Sequence, residues 1–204
     1  MKQTDTLSAC VACAIALAHA ALADPSPKPV PPPSLAPSTI ISGSEASPAL
    51  TIEPAPGGAV YLPTAKDKSV IYDLLHYAPV RRAGDFVYLS GVIAGPLPGE
   101  GHDVEALRKQ VRRSFDTIVR NLAAAGATPA DIVEIDSYHV TGGPGFAGDL
   151  EAELSALNVI DDYVKRPYPT WNVFRIAGLF ERDGVIEFKV TAYAPLKKTD
   201  AARP

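Results

Sequence analysis

Glu187 is the residue of this 204-residue chain best placed to move a proton. It lies in Val185–Tyr193, where Ile186, Phe188, Val190 and Ala192 alternate with Val185, Glu187, Lys189, Thr191 and Tyr193, the period of a strand with two distinct faces. An acid on an interior strand needs a partner or access to water. It serves either as a general acid/base or as half of a salt bridge. Trp171, the only tryptophan, heads another strand-like run to Ala177 and suits a cleft or an interface, where large aromatics are enriched. Ser90, before Gly91, reads equally as a packed hydroxyl or a ligand contact, and Tyr77, before Ala78-Pro79, as rim packing or a ligand contact. His76, His102 and His139 show no metal-ligand spacing and no visible acid or nucleophile to complete a triad, so they read as surface residues. Gly142-Gly143-Pro144-Gly145 lacks the lysine of a phosphate loop.

Both cysteines, Cys10 and Cys13, fall in an apolar leader ending in Ala21-Leu22-Ala23. This predicts a signal peptide over residues 1–23, the alternative being a retained anchor, and a periplasmic or secreted mature chain free of thiols and without a membrane contact. Ten of the 20 prolines lie between residues 24 and 57. Proline removes backbone donors and disfavours helix before it, which predicts a disordered spacer over 24–59. The formal net charge of −4 gives no surplus of cations to neutralise phosphates, and nucleic acid is a poor partner on that ground.

A folded domain is expected over 60–197, with a tail at 198–204. Ser69–Leu75 and Asp85–Ser90 read as strands. Asp103 caps a helix whose Leu107, Val111, Phe115, Ile118 and Leu122 form one stripe and whose Arg108, Lys109, Arg112, Arg113 and Arg120 lie largely off it as a solvated face; Gly126 ends it. Ile132–Val140 is a third strand. A second helix carries Leu150, Leu154, Leu157 and Ile160 on one face, and two strands close the domain around Arg182-Asp183-Gly184. The order predicts an α+β sandwich with both helices on one sheet face. The other face, polar but carrying Tyr193, is left for a subunit interface.

The run Gly84–Gly91 (GDFVYLSG), Gln110–Ala127 (QVRRSFDTIVRNLAAAGA), Asp131-Ile132-Val133, Tyr168-Pro169-Thr170-Trp171 and Ile186-Glu187 leading to Thr191-Ala192 together resemble the reactive intermediate deaminase (Rid, YjgF-like) family. The resemblance spans residues 77–195. It implies a chorismate-mutase-like fold, a homotrimer and ligand clefts between subunits. It also implies cofactor-free hydrolysis of enamines and imines such as 2-aminoacrylate. By position, the family's tyrosine, serine and glutamate fall on Tyr77, Ser90 and Glu187. Asn158 sits near a polar cleft residue of the family.

The family's arginine, which grips the substrate carboxylate with two prongs, falls on Trp171. Tryptophan offers one N–H and a large apolar face. Arg175 lies on the same strand face, but about 13 Å along it, too far to substitute. Two functions follow. One is a trimer binding a small, partly apolar metabolite against Trp171, which the missing arginine favours. The other is a hydrolase of a different enamine or imine, which the retained Tyr77, Ser90 and Glu187 keep open. Neither needs a metal or cofactor.

Overall fold

The computed structural model of the chain describes residues 50–196. Eight strands form one sheet: β1 Thr51–Ala55, β2 Gly58–Leu62, β3 Val80–Ala83, β4 Phe86–Leu89, β5 Val92–Ala94, β6 Ile132–His139, β7 Thr170–Arg175 and β8 Ile186–Tyr193. Their order is β1-β2-β3-β4-β8-β6-β7, with β5 following β4 along the same edge of β8. Only β6 and β7 run parallel. Helix α1 covers Val104–Ala124; α2 covers Leu150–Ala156 and tightens into a 3-10 turn over Leu157–Asp162.

The α1 stripe is buried as its period requires, with Leu107, Val111, Phe115, Ile118 and Leu122 all at the core. It packs over Val87, Leu89, Ile135, Phe188 and Val190 from one sheet face. Asp103 accepts a hydrogen bond from Ala106 N–H at 2.8 Å and caps the first turn. Gly126, at φ +73°, ends the helix in the left-handed region that glycine tolerates best. Buried Arg82 closes that end, donating from Nη2 to Ala125 O (2.6 Å) and from Nη1 to Ala194 O (2.7 Å). Off the stripe, Arg108, Arg112 and Arg113 pair with Glu105, Asp162 and Glu100.

Four expectations are corrected. Residues 51–59 belong to the domain: β1 and β2 form a hairpin, with Pro54 on the outer strand of the sheet, where a missing N–H is tolerated, and Pro56 in the turn. Ser69–Leu75 is not a strand: Asp67–Tyr72 is a short helix of wide turns, and residues 73–75 form the turn after it. Thr64 and Asp67 cap each other, and Asp73 N–H and Leu75 N–H reach back five residues to Lys68 O and Val70 O. A short apolar run does not distinguish the two conformations. The closing strands are not a hairpin, because β7 pairs with β6 and β8 inserts between β6 and β4. Leu154 is exposed, and α2 instead buries Glu153 and Ala156. No helix among the described residues is long and apolar enough to cross a membrane.

Both helices cover the face carrying Val87, Phe188, Val190 and Ile135. The opposite face exposes Phe86, Tyr88, Phe174 and Tyr193. Phe86 meets Tyr193 edge-on at 5.2 Å, and Tyr138 stacks on Phe174 at 5.3 Å.

Candidate functional site

Strand register divides the sequence-predicted residues into two groups. Tyr88 pairs with Thr191 and Val92 with Phe188. Three residues, Leu89 to Gly91, therefore face two, Lys189 and Val190. This bulge interrupts β4 and β5 at Ser90-Gly91. Gly91 has no side chain because Glu187 needs the space: a Cβ there would lie 1.6 Å from Glu187 Oε1. Ser90 Oγ donates to Ala78 O at 2.7 Å and fastens the segment that carries Tyr77. His76, exposed and at φ +58°, turns the chain immediately before Tyr77.

Glu187 lines a pocket of about 330 Å³ with Gly91, Tyr138, Leu179, Phe180 and Lys189. Burial holds its carboxyl above the usual carboxylate range. Tyr77 is also held above the usual phenol range, first by burial and then by the nearby charge of Glu187. Lys189 does not cancel the Glu187 charge alone, since it pairs with Asp136 at 3.3 Å. Asn172 Nδ2–H donates to the same Asp136 at 2.9 Å, and that bond, followed by the pairing with Lys189, holds Asp136 below its ordinary value. Of the sequence-predicted residues, Glu187 alone lines this half-sheltered pocket on the helix-free side; Ser90 fastens the neighbouring segment, and Tyr77 lies near enough to feel the Glu187 charge.

Trp171 lies elsewhere. It is opposite Ile135 in the β6–β7 register and shares the helix-covered face. Its indole is 40% exposed and forms one wall of a second pocket of about 300 Å³, with Leu154, Leu157, Asn158, Ile160, Asp161 and Val173. Asn158 is therefore beside Trp171. Neither touches the Glu187 pocket, and the two linings share no residue. The exposure of Leu154 has its explanation here, as it lines this pocket.

Two further corrections concern His139. It is fully buried, and it does have an acid and a hydroxyl beside it. Its Nδ1 lies 2.5 Å from Glu153 Oε1 and its Nε2 lies 2.9 Å from Ser137 Oγ. Trp171 Nε1–H donates to the same Ser137 Oγ at 2.8 Å. Ser137 and His139, two apart, share a strand face by period alone, but Glu153 arrives from α2, on the far side of a glycine-rich break. No spacing rule announces that meeting.

The model of the family described as "Endoribonuclease L-PSP" matches residues 68–194. The RutC family protein YjgH of Escherichia coli (strain K12) is 30% identical over 127 residues, 61% of this chain and 88% of that protein. A member of the YjgF/YER057c/UK114 family from Mycobacterium tuberculosis is 22% identical, covering 62% of this chain and 94% of that one at a TM-score of 0.47. A probable translation initiation inhibitor from Rhodopseudomonas palustris is 28% identical, covering 59% and 87% at 0.45. With its α+β sheet and the family match over the whole of β3 to β8, this chain belongs to the endoribonuclease L-PSP family, the YjgF-like or Rid proteins.

Proposed function

We propose that the protein is an exported homotrimer that binds a small metabolite in clefts between its subunits, without the carboxylate grip of the family's deaminases. The observation that carries this reading is the parity of the sheet. The Glu187 pocket and the Trp171 pocket lie on opposite faces, so one copy of the chain cannot close them on one ligand. Each is shallow and open. A neighbouring copy that docks on the helix-free face, where Phe86, Tyr88 and Tyr193 are exposed, closes the Glu187 pocket, and the Trp171 pocket needs a neighbour on the other face. The family's trimeric arrangement supports that geometry. A net charge of −4 favours a small molecule over the RNA substrate that the family description suggests.

The test has two parts. Light scattering on the protein should give three times the chain mass. Fluorescence of Trp171, the only tryptophan, should change when a ligand enters. A monomer at micromolar concentration would refute the cleft.

The second reading, a cofactor-free hydrolase of an enamine or imine, has its own support in Glu187. A carboxyl whose proton affinity burial raises, near Tyr77, is suited to general acid/base work. An assay that generates 2-aminoacrylate and other imines and follows keto-acid release separates the two readings. Acceleration lost in Glu187→Ala would establish the hydrolase. Export is read from residues 1–23, outside the described residues. Asp24 as the N-terminus of the secreted or periplasmic protein would support it, and an intact Met1 there would refute it.

A further inference from the structure

Glu153, His139 and Ser137 are completely buried and hydrogen-bonded in series, and the series ends at Trp171. Glu153 comes from α2; the other two come from one face of β6. A serine hydroxyl has one proton and two acceptor positions. The Trp171 N–H takes one of those positions at 2.8 Å. His139 either donates to the second, leaving the Ser137 proton to Asn172 O at 3.3 Å, or accepts that proton itself, according to its tautomer. In both cases Ser137 is held by His139, and His139 by Glu153.

We propose that the Glu153–His139–Ser137 series is a positioning device that makes Trp171 specificity-determining. It fixes the indole across its pocket with the N–H turned into the protein. The pocket then offers a ring face and no indole donor. Leu154, Leu157, Ile160 and Val173 are apolar, and the one charged residue of the lining is Asp161. A flat apolar group, neutral or cationic, packs on the ring. A carboxylate finds no counter-charge there and meets Asp161. The inference rests on the Trp171 pocket being half of the ligand cleft.

The same three residue types in series form a nucleophilic triad in hydrolases. Here Ser137 has no exposed surface and its Oγ lies under the indole N–H, so no acyl carbon can reach it. Ser137 should not react with a fluorophosphonate. Labelling at Ser137 would overturn the positioning role.

Three variants of the purified protein test the device: Ser137→Ala, Ser137→Thr and His139→Gln. Near-ultraviolet circular dichroism and acrylamide quenching report the one indole directly. In Ser137→Ala the near-ultraviolet band should weaken by half or more and quenching should rise at least twofold. Ser137→Thr, which keeps the hydroxyl, should match wild type. His139→Gln should fall between them. If it does not fold, the two Ser137 variants decide. Benzylammonium, benzyl alcohol and benzoate then probe selectivity. Wild type should bind the first two at least tenfold more tightly than benzoate. Freeing the indole N–H in Ser137→Ala should cut that ratio below threefold. Unchanged dichroism, quenching and selectivity in Ser137→Ala would overturn the positioning role. Failure of all three probes to bind wild type would instead refute the cleft, and the selectivity claim with it, while the spectra would still judge the positioning.

Discussion

Gly91→Ala should displace the Glu187 carboxyl and change little else. The new Cβ would lie 1.6 Å from Oε1, 2.5 Å from Cδ and 2.8 Å from Cγ of Glu187. Ordinary contact needs about 3.5–4.0 Å, so the carboxyl must swing out by roughly 2 Å. The obstacle is the far end of a flexible side chain, and Gly91 is absent from the positive-φ glycines among the described residues. Alanine therefore fits the backbone, and the narrower unfolded ensemble contributes about 0.4–1 kcal/mol of stability. A forced rotamer at Glu187 costs about 0.5–1.5 kcal/mol. The net change should lie within about 1 kcal/mol of zero.

Proton affinity should change far more than stability. Burial alone raises the Glu187 pKa, and a carboxyl moved into water should return towards its ordinary value. In wild type the folded state keeps this proton at pH values where the unfolded chain has lost it. Glu187 therefore opposes folding above its folded pKa, and that penalty fades as pH falls through that value. Gly91→Ala should lose this dependence, so acidification should shift relative stability towards wild type. Carboxyl carbon NMR titration of Glu187, with urea unfolding at neutral and mildly acidic pH and fixed protein concentration, reads both effects. A still-raised Glu187 in the variant, or a loss beyond about 3 kcal/mol, would refute the packing argument, since the latter exceeds any rotamer cost.

Three other changes test the scaffold that brings the site together. Arg82→Met keeps the buried stem but strips Ala125 O and Ala194 O of their donor; urea unfolding should show a loss of about 3 kcal/mol, since each orphaned acceptor costs about 1–3 kcal/mol. Asp103→Ala removes the α1 cap and should cost about 1 kcal/mol by the same measurement. His76→Gly relieves a left-handed residue worth about 1–2 kcal/mol, less glycine's entropy cost of about 0.5–1 kcal/mol. A slightly raised melting temperature should accompany a weaker ligand-induced change, because the turn that aims Tyr77 loosens.

The elements legible in the sequence were those with a period long enough to count. The α1 stripe runs four steps and all five positions are buried; β8 alternates over eight residues and keeps that alternation. The misread elements had less to count. Residues 69–75 are an apolar run too short to distinguish strand from helix, and the usable signal was the Thr64/Asp67 cap ahead of them. β1 was hidden by prolines that read as spacer, although an outermost strand accommodates them.

Distance in the chain, not weakness of signal, hid the rest of the site. Ser90 and Glu187 lie 97 residues apart in sequence, yet a single extra residue in the β4–β5 edge and a missing Cβ bring the Gly91 backbone under the Glu187 carboxyl. The sequence places Trp171 with Glu187 in one candidate site, whereas the structure puts the two in separate pockets. Register puts it against α2, not against Glu187. Its N–H is already committed to Ser137, so the indole keeps no donor free for a ligand. Behind that N–H the hydroxyl of Ser137, the imidazole of His139 and the buried acid Glu153 follow in series, contributed by two elements that no spacing in the sequence connects.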